Sequence, residues 1–297
     1  MDARPDGWHV CDWCGAWLRG DRETAAERAS HELAARLKPG RAKLPPLGAA
    51  GWFVDAYTAR IAATASGLWF APADGPVIAG HDEADPRGTL RPIAEAPMVP
   101  VALVVLAPVQ DAACAAFLTR NADHFAQTVL VVEQTHGAID ARENLCRVER
   151  PLAGDFAAQR NAGNAAASVP WVFHLDTDET ISPELALCLP HIAACAEEAG
   201  LRAVGFPRRN MVGGAFSDLF PDVQYRLMRR DVRFEGRVHE RPDACRHWPQ
   251  TTIALTGAID HHIQPGRLTE RRTQYDALGQ HPDRRGDDDA LLTPFRG

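Results

Sequence analysis

Trp171-Val172-Phe173-His174-Leu175-Asp176-Thr177-Asp178-Glu179 is an apolar run that stops abruptly on acid. A short apolar run bounded by a turn reads as a strand buried on both faces. In open α/β sheets the carboxyl ends of such strands face the ligand crevice. Asp176 and Asp178 are therefore expected at a site. Two residues apart in extended chain, they would point the same way, which suits a hard divalent cation that keeps substrate phosphates as co-ligands. A bare Asp-x-Asp fits a solvated turn before a helix cap just as well, so the surrounding chain has to decide.

Outward from that stretch, strands and helices alternate. Val101 to Leu106 and Thr128 to Glu133 read as buried strands, with a helix from Asp111 to Phe125 between them. Cys146 to Val148 gives a short third strand and Phe156 to Ser168 an Ala-rich helix. Ser182 as N-cap and Pro183 at the first position open a helix that runs to Gly200. This alternation predicts an α/β fold with a mostly parallel central sheet flanked by helices. After Phe206 the pattern becomes short strands (Gln224 to Met228, Arg233 to Glu235, Thr252 to Leu255), with Gly213-Gly214 as a flexible point, and a last helix over about 267 to 278.

Residues 1–97 read as an amino-terminal helical and irregular extension of unknown role. It has helices over Arg22 to Leu37 and Ala50 to Ser66, followed by a Pro- and Gly-broken stretch of short strands. Residues 98–280 form the main domain, with a nucleotide half (98–200) and an acceptor half (201–280), and 281–297 a polar tail. Cys11-Asp12-Trp13-Cys14 has the spacing of half a zinc site. Only His9 and His31 are nearby to complete it, and the expectation is that the pair is metal-free.

Composition sets outer bounds. The 297 residues are 45% hydrophobic and 24% charged, which is globular, and 32 basic against 39 acidic residues (−7) remove the reason to expect general nucleic-acid affinity. No apolar run reaches the ~18 residues of a spanning helix, and the first residues lack the apolar core of a signal peptide. A cytoplasmic protein is expected, with room for peripheral membrane contact. Seven irregularly spaced cysteines, several inside apolar segments, fit reduced thiols.

Asp155-Phe156-Ala157-Ala158-Gln159-Arg160-Asn161-Ala162-Gly163, followed by Trp171 to Leu185, resembles the family 2 glycosyltransferases of the GT-A fold. Tyr225 to Arg230, Gly236-Arg237-Val238-His239-Glu240 and His261-His262 are similar to the carboxyl-terminal blocks of the subgroup of lipopolysaccharide core glycosyltransferases. The resemblance covers about 99 to 280. It implies a metal-dependent, inverting transfer of a sugar from a nucleoside diphosphate sugar to an acceptor hydroxyl, on a saccharide or glycolipid. It further implies that Asp178 binds Mn²⁺ or Mg²⁺, that Asp176 faces the ribose or the metal through water, and that Glu133 and Arg160 hold the nucleotide. Glu240 is the expected base, with Asp222 and Glu179 as alternatives, and His261 completes the metal shell or contacts the diphosphate. The bland reading of Glu240 is a surface pair with Arg237 or Arg241. Where the family has Pro-x-Tyr-Asn-Glu and Ser-x-Asp stretches, this chain has Ala107 to Asp111 and Glu133 to Gly137. Those departures keep a non-catalytic sugar-nucleotide-binding paralogue open. A sugar nucleotidyltransferase ranks lower, because Leu106 to Ala112 lacks the glycines of a triphosphate cradle.

Overall fold

The computed structural model describes residues 8–10, 17–19, 40–43, 56–72, 87–109, 112–134, 143–217, 219, 222–236, 240–246, 248–263, 291 and 293. The expected helices at 22–37 and 267–278, the tail apart from 291 and 293, and the Cys11/Cys14 pair lie outside them. Among the described residues ten strands form one sheet: β1 (Val101–Val109), β2 (Gln127–Gln134), β3 (Leu145–Glu149), β4 (Trp171–Asp176), β5 (Glu179–Ile181), β6 (Ala203–Val212), β7 (Ala215–Phe216), β8 (Asp222–Arg229), β9 (Thr251–Ile253) and β10 (Ile259–Ile263). Their order is β5-β10-β6-β8-β4-β1-β2-β3, with β7 and β9 also on β6.

From β3 to β4 neighbours are parallel, as alternating strands and helices require. The expectation of a mostly parallel sheet describes that half. Beyond it the sheet is mixed: β8 runs antiparallel to both β4 and β6, and β5 antiparallel to β10, while β9 and β10 run parallel to β6. The cause is local. Gly213 and Gly214 both take positive φ (58° and 85°), closing a two-residue hairpin that sends the chain straight back from β6.

Helices α1 (Ala56–Ala65), α2 (Ala112–Asn121), α3 (Phe156–Ala166) and α4 (Pro183–Glu198) complete the frame, and no helix among the described residues is long and apolar enough to cross a membrane. Strand β4 shows how the sheet is layered. Trp171, Phe173 and Leu175 join one apolar cluster with Phe117 and Leu118 of α2 and Leu185, Leu189 and Ile192 of α4. Val172 points to the other face and packs with Val104, Val131 and Ala157. Phe125, Phe173 and Phe206 stack at centroid distances of 5.9 and 5.7 Å on the first face. Trp69, Ile93 and Ala96 belong to this same core, so the three-stranded antiparallel sheet of the amino-terminal extension (Gly40–Lys43, Arg87–Pro92, Leu68–Pro72) packs with α1 on the main sheet, while Trp8–Val10 and Trp17–Arg19 pair as a separate two-stranded sheet.

Capping follows the sequence. Ser182 accepts from Leu185 N at 3.3 Å, with Pro183 opening α4, and Asp155 accepts from Ala158 N at 2.8 Å at the start of α3. Helix α3 lies unusually close to the sheet at Gly163, where a Cβ would sit 2.4 Å from Val104 Cγ1 and 3.3 Å from Val131 Cγ2. Gly163→Ala is therefore expected to cost stability. Overpacking of ~1–3 kcal/mol outweighs the gain of at most ~1 kcal/mol from better helix propensity. Urea unfolding checks this, and a variant as stable as the unmutated protein would show that the helix can back away freely.

Candidate active site

Strand β4 ends at Asp176, Thr177 and Asp178 form a tight turn, and β5 starts at Glu179. The chain is not extended between the two aspartates, so they do not point the same way as the sequence spacing implied. Asp176 faces the arginines of α3 and β8, and Asp178 faces β10. The turn is held at both ends: Glu179 Oε2 accepts from Asp176 N at 3.0 Å, and Asp178 O accepts from His262 N at 3.0 Å.

A chain of ion pairs runs through this edge. Glu240 Oε1 accepts from Arg160 Nε at 2.5 Å, and Arg160 Nη2 donates to Asp176 Oδ1 at 3.1 Å. Arg226 Nη2 donates to Asp176 Oδ2 at 2.9 Å and to Glu179 Oε1 at 2.7 Å. Arg208 continues from Glu179 (Nη1, 3.1 Å) to Asp222 (Nε, 2.9 Å). Most of it is dry: the Glu179 side chain is 0% exposed, Arg226 7% and Arg160 8%, while Asp176 keeps 33% open to solvent. Burial alone would raise the Asp176 carboxyl, but the charges of Arg226 and Arg160 overcome it and hold it well below the usual carboxylate range. Asp222 is lowered in the same way, with burial opposed by Arg208. Burial works against the charge of Arg160 and Arg226 too, yet Asp176 and its fellow carboxylates raise both.

Helix α3 organises the other side. Asn161 grips the backbone of Phe234 twice, Nδ2 to O at 3.0 Å and Oδ1 from N at 2.9 Å, and Asn164 Nδ2 donates to Val232 O at 3.0 Å. These bonds anchor the segment leading towards Glu240. The Phe234 ring lies 5.6 Å from the Arg160 guanidinium carbon and 4.9 Å from the fully buried His174 ring. Burial first, then Arg160 and Arg226, lower His174 well below its ordinary value, so the ring is neutral.

Asp178 Oδ2 stands 3.6 Å from His261 Nε2, and His261 Nδ1 is 2.8 Å from Asn210 Oδ1. Asn210 is oriented by its amide, which donates to Leu219 O at 3.0 Å, so its oxygen must accept and His261 Nδ1 must carry the proton. His261 Nε2 is then the ring nitrogen turned towards the Asp178 carboxylate. Two such donors, with a histidine fixed from behind by an amide, fit a divalent cation that takes its remaining ligands from phosphate and water. Among the described residues no group of three or more His, Cys, Asp or Glu side chains forms a closed metal cage.

Of the residues singled out in the sequence, Arg160, Asp176 and Glu240 come into direct contact, and Asp178 and His261 face each other. Glu240 pairs with Arg160, with its side chain 12% exposed, rather than forming a surface pair with Arg241; Arg237 lies outside the described residues. Glu133 stands at the carboxyl end of β2, two strands from β4, and enters none of the ion pairs among the described residues. Sequence reading gave no role to Arg208, Asn210, Arg226 or His174. The usable signal was parity, since His174 and Asp176 share one face of β4.

Asp176→Asn tests the network. Two buried guanidiniums would lose their shared counter-charge, at a cost of ~2–3 kcal/mol near neutral pH once partial exposure is discounted. The folded carboxyl titrates below its unfolded value of ~3.9, so this stabilisation is complete above that value and lost as pH falls through the folded one. The gap between variant and unmutated protein in urea unfolding should therefore close on acidification. A gap independent of pH would contradict the assignment.

No family model and no curated protein matches the chain. Among solved structures the chain is similar to TarS from S. aureus, at 14% identity over 65% of this chain and a TM-score of 0.36; it spans 42% of that TarS chain. TarS 1-349 in complex with UDP-GlcNAc gives 12% identity over 65% of this chain and 70% of that one, with a TM-score of 0.38. The complex of TarS 1-349 with UDP gives 14% identity, 65% and 69%, and a TM-score of 0.35. Overlaps of this size carry no argument about activity, and the functional reading rests on the site itself.

Proposed function

We propose that this chain is a GT-A type glycosyltransferase, related to family 2, that moves a sugar with inversion from a nucleoside diphosphate sugar to an acceptor hydroxyl on a saccharide or glycolipid. It would do so with Mn²⁺ or Mg²⁺ seated by Asp178 and His261. The observation that carries the reading is charge at the carboxyl edge. Among the described residues the carboxylates of Asp176, Asp178, Glu179, Asp222 and Glu240 outnumber the guanidiniums of Arg160, Arg208 and Arg226 at this edge, and each of those guanidiniums is already engaged by carboxylates. A diphosphate brought to such an edge is repelled unless a divalent cation comes with it. The parallel order β3-β2-β1-β4 continued by antiparallel β8 supports the GT-A type.

When bound, the ion stabilises the charge that develops on the departing nucleoside diphosphate. The chain's own residues do the rest. Asp176, fixed by two guanidiniums yet one-third open, accepts from a ribose hydroxyl. Arg160 directs Nε to Glu240 and Nη2 to Asp176, so its part is to orient carboxylates rather than to grip phosphate. Glu240 gives one oxygen to Arg160 and uses Oε2 to take the acceptor's proton. The acceptor oxygen bonds to the anomeric carbon as the bond from that carbon to the diphosphate oxygen breaks, and the electron pair leaves on the diphosphate. Glu179 is a poor alternative base, being fully buried with its oxygens taken by Arg208, Arg226 and the Asp176 N–H. Asp222 is engaged by Arg208 and Gln224. One observation favours a second reading, a binder without turnover: the Arg160 bond on Glu240 would then be purely structural.

Calorimetry with UDP separates metal-assisted from metal-free binding. UDP should bind with Mn²⁺ and much more weakly with EDTA, and Asp178→Ala should remove that difference; equal affinity in both conditions defeats the metal assignment. Glu240→Gln keeps shape and hydrogen bonding but cannot accept the proton. Its donor affinity should stay near that of the unmutated protein while transfer or slow donor hydrolysis falls by ~10² to 10⁴. Full turnover by the variant would move the base elsewhere, and no turnover by the unmutated protein across a broad donor and acceptor panel would favour the binder.

A further inference from the structure

His174 is the one fully buried imidazole among the described residues, and nothing in the proposed chemistry uses it. It sits in an otherwise apolar run of β4, between Phe173 and Leu175. Its surroundings nevertheless specify both ring nitrogens. Asn164 donates its amide to Val232 O at 3.0 Å, which turns its Oδ1 towards His174 Nε2 at 2.8 Å. The oxygen can only accept, so Nε2 carries the hydrogen and Nδ1 of the neutral ring holds a lone pair. That lone pair faces Arg160 Nη1 at 3.5 Å, while Arg160 Nε and Nη2 bind Glu240 and Asp176.

We propose that His174 is a positioning residue: its tautomer, set by Asn164, gives Arg160 a third fixed contact, and so sets the orientation in which the guanidinium presents Asp176 and Glu240. A planar guanidinium held through Nε and Nη2 can still rock about the line joining those two atoms, and an acceptor at Nη1 opposes that motion. The other tautomer would put an N–H against a guanidinium N–H and push Arg160 off. Asn164 therefore acts on Arg160 through the ring of His174, and through Val232 it ties the setting of the arginine to the segment that leads to Glu240. The importance for transfer rests on the proposed function, whereas the contact itself does not.

The experiment reads both separately. Nitrogen NMR of the unmutated protein should show His174 as the Nε2–H tautomer and Arg160 with resolved Nη1 and Nη2 signals, the mark of hindered rotation. His174→Phe fills the ring's space without an acceptor and should merge the Nη signals while the Nε–H signal persists. His174→Asn restores an acceptor near the Nδ1 position and should keep them resolved, and Asn164→Leu should merge them from a distance. In turnover, His174→Phe should lower kcat by about ten-fold or more with little change in donor KM, since a small misplacement of catalytic groups has that effect, and His174→Asn should recover much of it. An Nδ1–H tautomer in the unmutated protein, or unchanged Arg160 signals in His174→Phe, overturns the proposal; the tautomer measurement decides even if His174→Phe does not fold. If the unmutated protein has no turnover, the functional reading fails while the NMR result still judges the contact.

Discussion

The carboxylate of Asp176 accepts from Arg160 on one oxygen and from Arg226 on the other, and the carboxyl edge of the sheet takes its form from that sharing. Helix α3 and strand β8 approach the end of β4 from different directions, and the shared carboxylate fixes where they meet. Each further link extends the constraint: Glu240 through Arg160, Glu179 through Arg226, Asp222 through Arg208. Removing so many ions from water costs several kcal/mol apiece, and apolar packing of the same volume would often give a more stable protein. What the network supplies is geometry: each charged group has a place that no neighbour can change alone.

That geometry divides the labour of the edge. The guanidiniums of Arg160, Arg208 and Arg226 are each engaged by carboxylates, so in the proposed chemistry they orient acids and leave the charge of an incoming diphosphate to a cation. The proposed seat of the cation, Asp178 with His261, lies on the far side of the same turn, where Asn210 faces both His261 and Asp222. One polar chain therefore runs from the proposed metal ligands to the proposed base. It leans on the apolar layers behind it, because Gly163 lets α3 sit close enough for Arg160 and Asn164 to reach the strand.

The elements were legible where a local cause acts. Buried parallel strands announce themselves as apolar runs, and Ser182-Pro183 marks the start of α4 as it stands in the structure. Strand β6 was not read from the sequence, because Arg208, Arg209 and Asn210 face polar partners and break the apolar pattern that would have announced a strand running to Val212. The partners of Asp176 lie sixteen and fifty residues away and carry no local signature. The aspartates were read as parallel because spacing alone cannot show that Thr177 and Asp178 turn the chain. A histidine inside an apolar strand reads as filler until the asparagine on the facing helix is known.

The central claim is that this edge takes up one divalent ion together with a nucleoside diphosphate. Electron paramagnetic resonance of free Mn²⁺ tests it most directly, because the sharp signal of the hydrated ion is lost on binding. In the presence of UDP, at levels where UDP alone leaves the signal intact, the protein should remove about one equivalent of free Mn²⁺ per chain, as expected of a site with few protein ligands that needs phosphate oxygens to complete it. A signal that the protein leaves unchanged with UDP present would contradict the account.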